Sequence, residues 1–340
     1  FRKPGNSELE AIYRSNWIAR KIVDIPIEDT LRQGWSWTAD DAIITQIEAE
    51  EKRLNIRGVL MQSLTRDAIY GGSAFVMGTG EANLSSELDV ESIGKGGLKY
   101  LTPFHAEDLH IEGLSREPDK LGQPTMFVFK QENGQDLRIH PSRVISFCNR
   151  PIEKPLSRMT WEDYWGDSRL ANVLSDISGA SSALTGGARL MGELAIWTYK
   201  INGLADTISA VGGEESVQKL LTMATTLKAS LNAVAFDAQD EVDIITANTS
   251  GIGETIRSFM QNVAGAADIP YTRFMSASPD GMNATGASDF RNYYDRLVGN
   301  RTARIDPQME KFDQVFLRSA LGRFDDKIYR SWKPLWQLSE

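Results

Sequence analysis

Apolar and polar positions alternate in three successive textures along the chain. Over residues 9–23, Leu9, Ile12, Tyr13, Ile18, Ile22 and Val23 fall near helical spacing, and Pro26 is expected to limit the helix. Asp40 and Asp41 are placed to cap a helix over 42–54 with Ile43, Ile47 and Leu54 on one face. A further helix over 59–70 should stop at Gly71-Gly72. From 73 to 147 the texture is that of strands. Short apolar runs at 74–77, 98–101, 126–129 and 144–147 lie between Gly, Asn and Pro turns, and an aromatic loop over 149–167 follows.

The third texture is a long helical repeat. Leu170, Leu174, Ile177, Ser181, Leu184, Ala188, Met191 and Ala195 recur at alternating steps of four and three. That 3.5-residue period belongs to helices that pack along their length. It predicts a helix over 168–197, roughly 45 Å long at ~1.5 Å per residue. Its centre is rich in Gly, Ala and Ser, and each glycine costs ~1 kcal/mol against alanine. Close approach between identical neighbouring helices would offset that cost; a long core helix of one globular domain is the alternative. Residues 199–250 read as a compact insertion with a helix over 214–231 and strands at 233–236 and 242–245. A second helix carries Ile256, Phe259, Met260 and Val263 on one stripe and must end by 268 or 269, ahead of Pro270. The stretch 271–287 reads as a 17-residue loop, long enough to expect a function. Ser288 or Asp289 caps a helix bearing Phe290, Tyr293, Tyr294 and Leu297. Asp306-Pro307 opens another, which Gly322 closes.

Composition narrows the function more than the fold. The 340 residues carry a net charge of −9, which argues against a simple DNA-binding module. The charge is uneven: residues 166–270 hold 12 acidic and 6 basic groups, whereas 271–305 hold 3 and 5. A solitary Cys148 rules out an internal disulfide framework. His105, His110 and His140 do not share helical spacing, so neither a histidine-built metal site nor a cofactor is expected. No apolar run approaches ~20 residues, so no membrane span is expected. The start Phe1-Arg2-Lys3, without methionine, reads as part of a longer polypeptide.

Motifs for catalysis are sparse. GxxxxGK[ST], strand-bound GxGxxG, HExxH and GxSxG are all absent from the sequence. Asp237, Asp240, Glu241 and Asp243 could chelate a hard cation but lack the pattern of a calcium loop, and a solvated acidic edge is the commoner reading. His105 and His110 are each followed two residues later by Glu107 and Glu112; strand-edge histidines explain them as well as oriented imidazoles do. Cys148 ends an apolar strand and is expected to be buried and inert. His140-Pro141-Ser142 looks like half of a two-histidine phosphoesterase signature, without the second His-x-Ser/Thr.

Several segments together resemble tailed-bacteriophage portal proteins. They are Tyr13 to Asp24 with Asp29 and Arg32 to Trp35, Ala68 to Ala74, Ile139 to Val144, Trp165 to Leu170, and Ile269 to Arg273 running on through Gly281 to Gly286 and Asp289 to Asp295. The resemblance is to a subfamily in which some relatives carry a C-terminal anti-CBASS phosphodiesterase, which is not expected in this chain. It implies an α+β portal fold with a mixed α/β wing (1–165 and 288–340), stem helices at 166–198 and 252–269, a small α/β clip at 199–251, and a tunnel loop at 270–287 followed by a long helix, with no evident crown.

By the same resemblance the protein is a non-enzymatic subunit of a ring, usually of twelve copies, through which double-stranded DNA passes without sequence-specific contacts. Its expected partners are the large terminase, a head-tail adaptor and the major capsid protein, with no membrane. Its expected place is one capsid vertex of the virion, after assembly in the bacterial host cytoplasm. Arg273, Ser276, Ser278 and Asn283 are the expected channel-loop residues, with Arg273 as phosphate partner. Leu170, Leu174, Ile177, Leu184 and Met191 are the expected stem interface. Another ring-forming head-tail connector would follow the same helix logic, although adaptors are usually much shorter. A nucleic-acid phosphodiesterase using the His140 region is the alternative from another class.

Overall fold

The structure, a computed structural model, describes residues 4–131, 134–155, 158, 160–192, 195–200, 208–210, 212–231, 241–246, 251–277 and 287–336. The first apolar stretch forms two helices, α1 (Asn6–Ser15) and α2 (Trp17–Leu31). Asn16 divides them in an extended conformation, and its Oδ1 accepts from the Ile18 N–H at 2.9 Å and the Ala19 N–H at 3.4 Å. That N-cap satisfies donors a continuous helix would have used internally. Pro26 does not stop α2: it lies inside the helix, buried, and Thr30 Oγ1 donates to its carbonyl at 2.6 Å.

After strand β1 (Trp35–Trp37), helices α3 (Asp41–Leu54) and α4 (Ile56–Tyr70) are separated by Asn55 and ended by Gly71, both left-handed. β2 (Ser73–Gly78) is buried along its whole length. It is the middle strand of an antiparallel sheet β3-β2-β7, formed with β3 (Tyr100–His105) and β7 (Val144–Phe147). Its two faces serve different neighbours. Phe75 meets Phe147 and, edge-on at 5.2 Å, Phe312. Ala74 and Val76 pack with Leu109, Ile111, Phe127 and Ile139. Those four belong to a second antiparallel sheet of β4 (Leu109–Ile111), β5 (Phe127–Lys130) and β6 (Asp136–Ile139). A strand covered on both sides needs an unbroken apolar run, which Ala74 to Met77 supply.

The long repeat becomes α5 (Leu174–Gly192), 19 residues and about 28 Å. The expected continuation to 197 is overturned: Ala195–Lys200 is strand β8, paired antiparallel with β9 (Glu241–Thr246). Between them lies α6 (Gly213–Leu231), as expected; the predicted strand at 233–236 falls outside the described residues. Then come α7 (Ile252–Ala266), a short α8 (Tyr271–Met275), α9 (Ala287–Asn300), one π-helical turn at 301–305, α10 (Asp306–Leu321) and β10 (Arg330–Trp332).

β10 returns to β1, aligning Trp35 with Trp332. The Arg330 guanidinium lies over Trp35 at 4.3 Å and Trp37 at 4.8 Å and pairs with the Asp313 carboxylate. Glu51 Oε1 accepts from both indoles of β1, at 2.6 and 3.0 Å. The chain divides into two compact units, 1–180 with 259–340, and 181–258.

Candidate functional site

The heptad positions have two distinct environments. Leu170 and Ile177 are buried within the larger unit beside Val173 and Ala180. Leu174 and Leu184 are half-buried and Ala188 is exposed. Met191 lies on α5, with its side chain outside the described part. Leu170 and Ile177 are therefore core, while Leu174 and Leu184 keep apolar surface to offer. The small residues also have a use within the chain. A methyl group at Gly187 would come within 2.7 Å of Ile256 Cδ1 on α7, whereas one at Gly186 would meet nothing within 4 Å. Close approach thus occurs between helices of one chain at Gly187, and Gly186 and Ala188 lie on the open side.

The base of the 270–287 stretch is more ordered than expected. Asp268 takes a left-handed φ of 57° and Pro270 leads into α8, so residues 271–275 are helix and not loop. Phe274 is fully buried and its carbonyl accepts from Lys21 Nζ at 2.7 Å. Beside it, Arg273 donates through Nε at 3.1 Å and Nη2 at 3.0 Å to the two oxygens of Asp29, a residue only 1% exposed on α2. Tyr293 of α9 donates to the same carboxylate at 3.0 Å. Burial and the adjacent Asp29 push the Tyr293 hydroxyl pKa well up.

Asp29 thus holds α8 before the stretch and α9 after it. The fork of Arg273, expected to meet phosphate, is engaged by Asp29 in the single chain. Ser276 ends α8 in a left-handed, exposed conformation. Ser278 and Asn283 fall outside the described residues. A signal for Asp29 was present in the sequence: a carboxylate among Ile25, Ile27 and Leu31 on a buried helix requires a partner.

The histidine and cysteine positions have structural employment. His140 caps a short 3-10 turn, its Nδ1 lying 2.7 Å from Ser142 Oγ and 3.2 Å from the Ser142 N–H. Ser142 Oγ accepts from the Leu88 N–H at 2.8 Å. Burial lowers the imidazole pKa. His105 stacks on Tyr70 and lies 3.3 Å from Asp108, not Glu107, while Glu112 pairs with Arg138 instead of His110. Burial pushes the Cys148 thiol up to about 11. Among the described residues no group of acidic, His or Cys side chains could hold a metal, and no helix is long and apolar enough to cross a membrane. Of the acidic cluster, Asp237 and Asp240 lie outside the described residues, and the side chains of Glu241 and Asp243 are not described.

A family model described as phage portal protein matches residues 7–340. The anti-CBASS protein Acb1 of Caulobacter sp. (strain RHG1) is 33% identical over all of this chain and 56% of its own length. Acb1 of Sphingomonas paeninsulae is 34% identical over 98% of this chain and 54% of its own. The chain thus spans about half the length of these curated relatives. Among solved structures, a chain from the neck of a native GTA particle, computed with C12 symmetry, superposes with a TM-score of 0.62, covering 97% of this chain and 84% of that one at 14% identity. A chain of the virion of a native gene transfer agent particle gives 0.60 over the same shares, also at 14% identity. At that identity these likenesses speak for the fold alone: an α+β fold of the kind found in such necks.

Proposed function

The chain belongs to the phage portal protein family, and on that premise we propose that it is one subunit of a twelve-membered ring that conducts double-stranded DNA into and out of a capsid. The observation that carries this reading is the extent of the likeness. The family model runs from residue 7 to the last residue, and the fold follows a neck chain over 97% of its length. In the assembled particle we assign the wing to 1–165 and 288–340, the stem to 166–192 and 252–269, the clip, which takes in the β8–β9 pair, to 195–251, and the tunnel segment to 270–287. The half-buried Leu174 and Leu184 are the positions best suited to a neighbouring subunit.

The charge distribution suits passage better than binding. A wall that gripped phosphates would act as a brake, and residues 166–270 carry a net −6. Contacts with the sliding duplex then fall to uncharged donors such as Ser276, Ser278 and Asn283, which touch backbone without reading sequence. Arg273 holds the segment's base. The clip would dock the large terminase during packaging and a head-tail adaptor afterwards, at one vertex of the major capsid protein shell, following assembly in the host cytoplasm. The fold is a structural one, and we assign no catalysis to this chain. His140 and Ser142 are occupied in a turn, which removes the motive for a phosphodiesterase here. The activity named for the Acb1 relatives belongs on this reading to the part of those proteins that this chain does not span.

Deleting 213–231, the clip helix, tests the docking role. The expected outcome is soluble protein that still assembles but no longer retains large terminase in a pull-down. Retained binding would place the partner surface elsewhere.

A further inference from the structure

The larger unit holds a solvent-open cavity of about 580 Å³ lined by three arginines from separate stretches: Arg150, Arg169 of the turn before α5, and Arg296 of α9. The carboxylates that share its walls are already engaged. Asp268 pairs with Arg296. Asp67 accepts from both the backbone N–H and the side-chain amide of Asn149. Asp167 has a contact of its own, and the Tyr293 hydroxyl serves Asp29.

Arg169 is the exception. Its Nη2 donates to the Ala267 carbonyl at 2.9 Å, while its buried Nε has no acceptor among the described residues. Burial first, then the neighbouring Arg150, draw its pKa down to about 10, and Arg296 acts in the same direction. A guanidinium in that position lacks the planar, two-oxygen partner its geometry suits. The room is also larger than a bare ion requires and falls in the range of ligand pockets.

We infer that this cavity is an oxyanion site, in which a carboxylate or phosphate group binds Arg169 with Arg150 and Arg296 as further cations. The group can arrive as a free phosphate-class ion or on an acidic side chain of a second copy of this chain. Arg296 keeps its pair with Asp268 and, 61% exposed, adds positive charge beside the cavity. The inference goes beyond the channel reading and does not depend on it, because the free-ion arm is read on the purified chain whatever its oligomeric state.

The test measures thermal unfolding in sodium phosphate against sodium chloride of equal ionic strength, together with self-association by mass photometry. The proteins are wild type, R169Q, R150Q and R296Q. The last two keep the site testable if R169Q fails to fold. If the source is the free ion, phosphate at ten times its dissociation constant raises the wild-type melting temperature by roughly 3 °C over chloride. At least half of that shift is then lost in R150Q and R296Q. If the source is a second copy, phosphate has no specific effect, but the same variants weaken self-association by about tenfold or more. Equal response to both salts combined with unchanged self-association in R150Q and R296Q overturns the proposal.

Discussion

Asp29 shows how much one residue can organise. Its carboxylate is inside, and two side chains more than 240 positions away in sequence converge on it. Removing Arg273 would leave that charge uncompensated in a dry setting, which costs about 3–5 kcal/mol. Arg273→Met is therefore expected to lower urea-unfolding stability by about 3 kcal/mol, near the bottom of that range because Arg273 is 32% exposed. Ser276→Ala, on the exposed end of the same helix, should stay within about 0.5 kcal/mol.

Cys148 yields a second expectation. A thiol pushed from 9.0 to about 11 holds a thiolate population about 100-fold below that of an unperturbed one, so iodoacetamide should label it about 100-fold more slowly in the native protein than after unfolding. Asp67 yields a third. Burial raises its carboxyl from 3.8 to about 6, so across that window the folded state keeps a proton the unfolded chain has released. Its contribution to stability accordingly falls as pH rises from about 4 to about 6. Asp67→Asn should flatten that part of a denaturation profile taken against pH; an unchanged slope would assign it to other groups.

At the scale of elements, what could be read from the sequence was whatever local pattern decided. Helix α3, the Gly71 stop of α4, the apolar runs of β2 and β7, and α6 all follow from spacing and terminators. The misses have physical causes. The α1–α2 break hides in a continuous apolar pattern because the side chain of Asn16, not a gap in periodicity, makes it. β1 and β10 are three residues each and pair across nearly 300 positions, so no local window holds the signal. The heptad runs on to Ala195, but pairing with β9 takes that residue into a strand. At the candidate site, the pairing of Arg273 with Asp29 joins residues 244 positions apart, so it could not be read without α2 alongside.

Glycines test the same contrast. A methyl at Gly166 would lie 2.0 Å from the backbone oxygen of Arg150, which cannot move aside, so Gly166→Ala should cost about 2–3 kcal/mol. At Gly187 the obstacle is the free end of Ile256, and alanine gains ~1 kcal/mol of helix propensity. Gly187→Ala should then leave the melting temperature nearly unchanged.

For the whole molecule, the proposed role requires assembly. The larger unit has a complete core of its own, built on β2, α4 and α10. Leu174 and Leu184, by contrast, retain apolar surface within a single chain. An aspartate at either position would put an unpaired charge into any seam formed there, so Leu174→Asp or Leu184→Asp should shift the protein from ring to subunit on size exclusion while leaving its circular dichroism unchanged. Electron microscopy of the purified wild-type protein shows assembly without an intermediary. Closed rings of about twelve subunits with a central pore wide enough for a DNA duplex are the expected result. Monomers that persist at high concentration, or assemblies without an open pore, would contradict it.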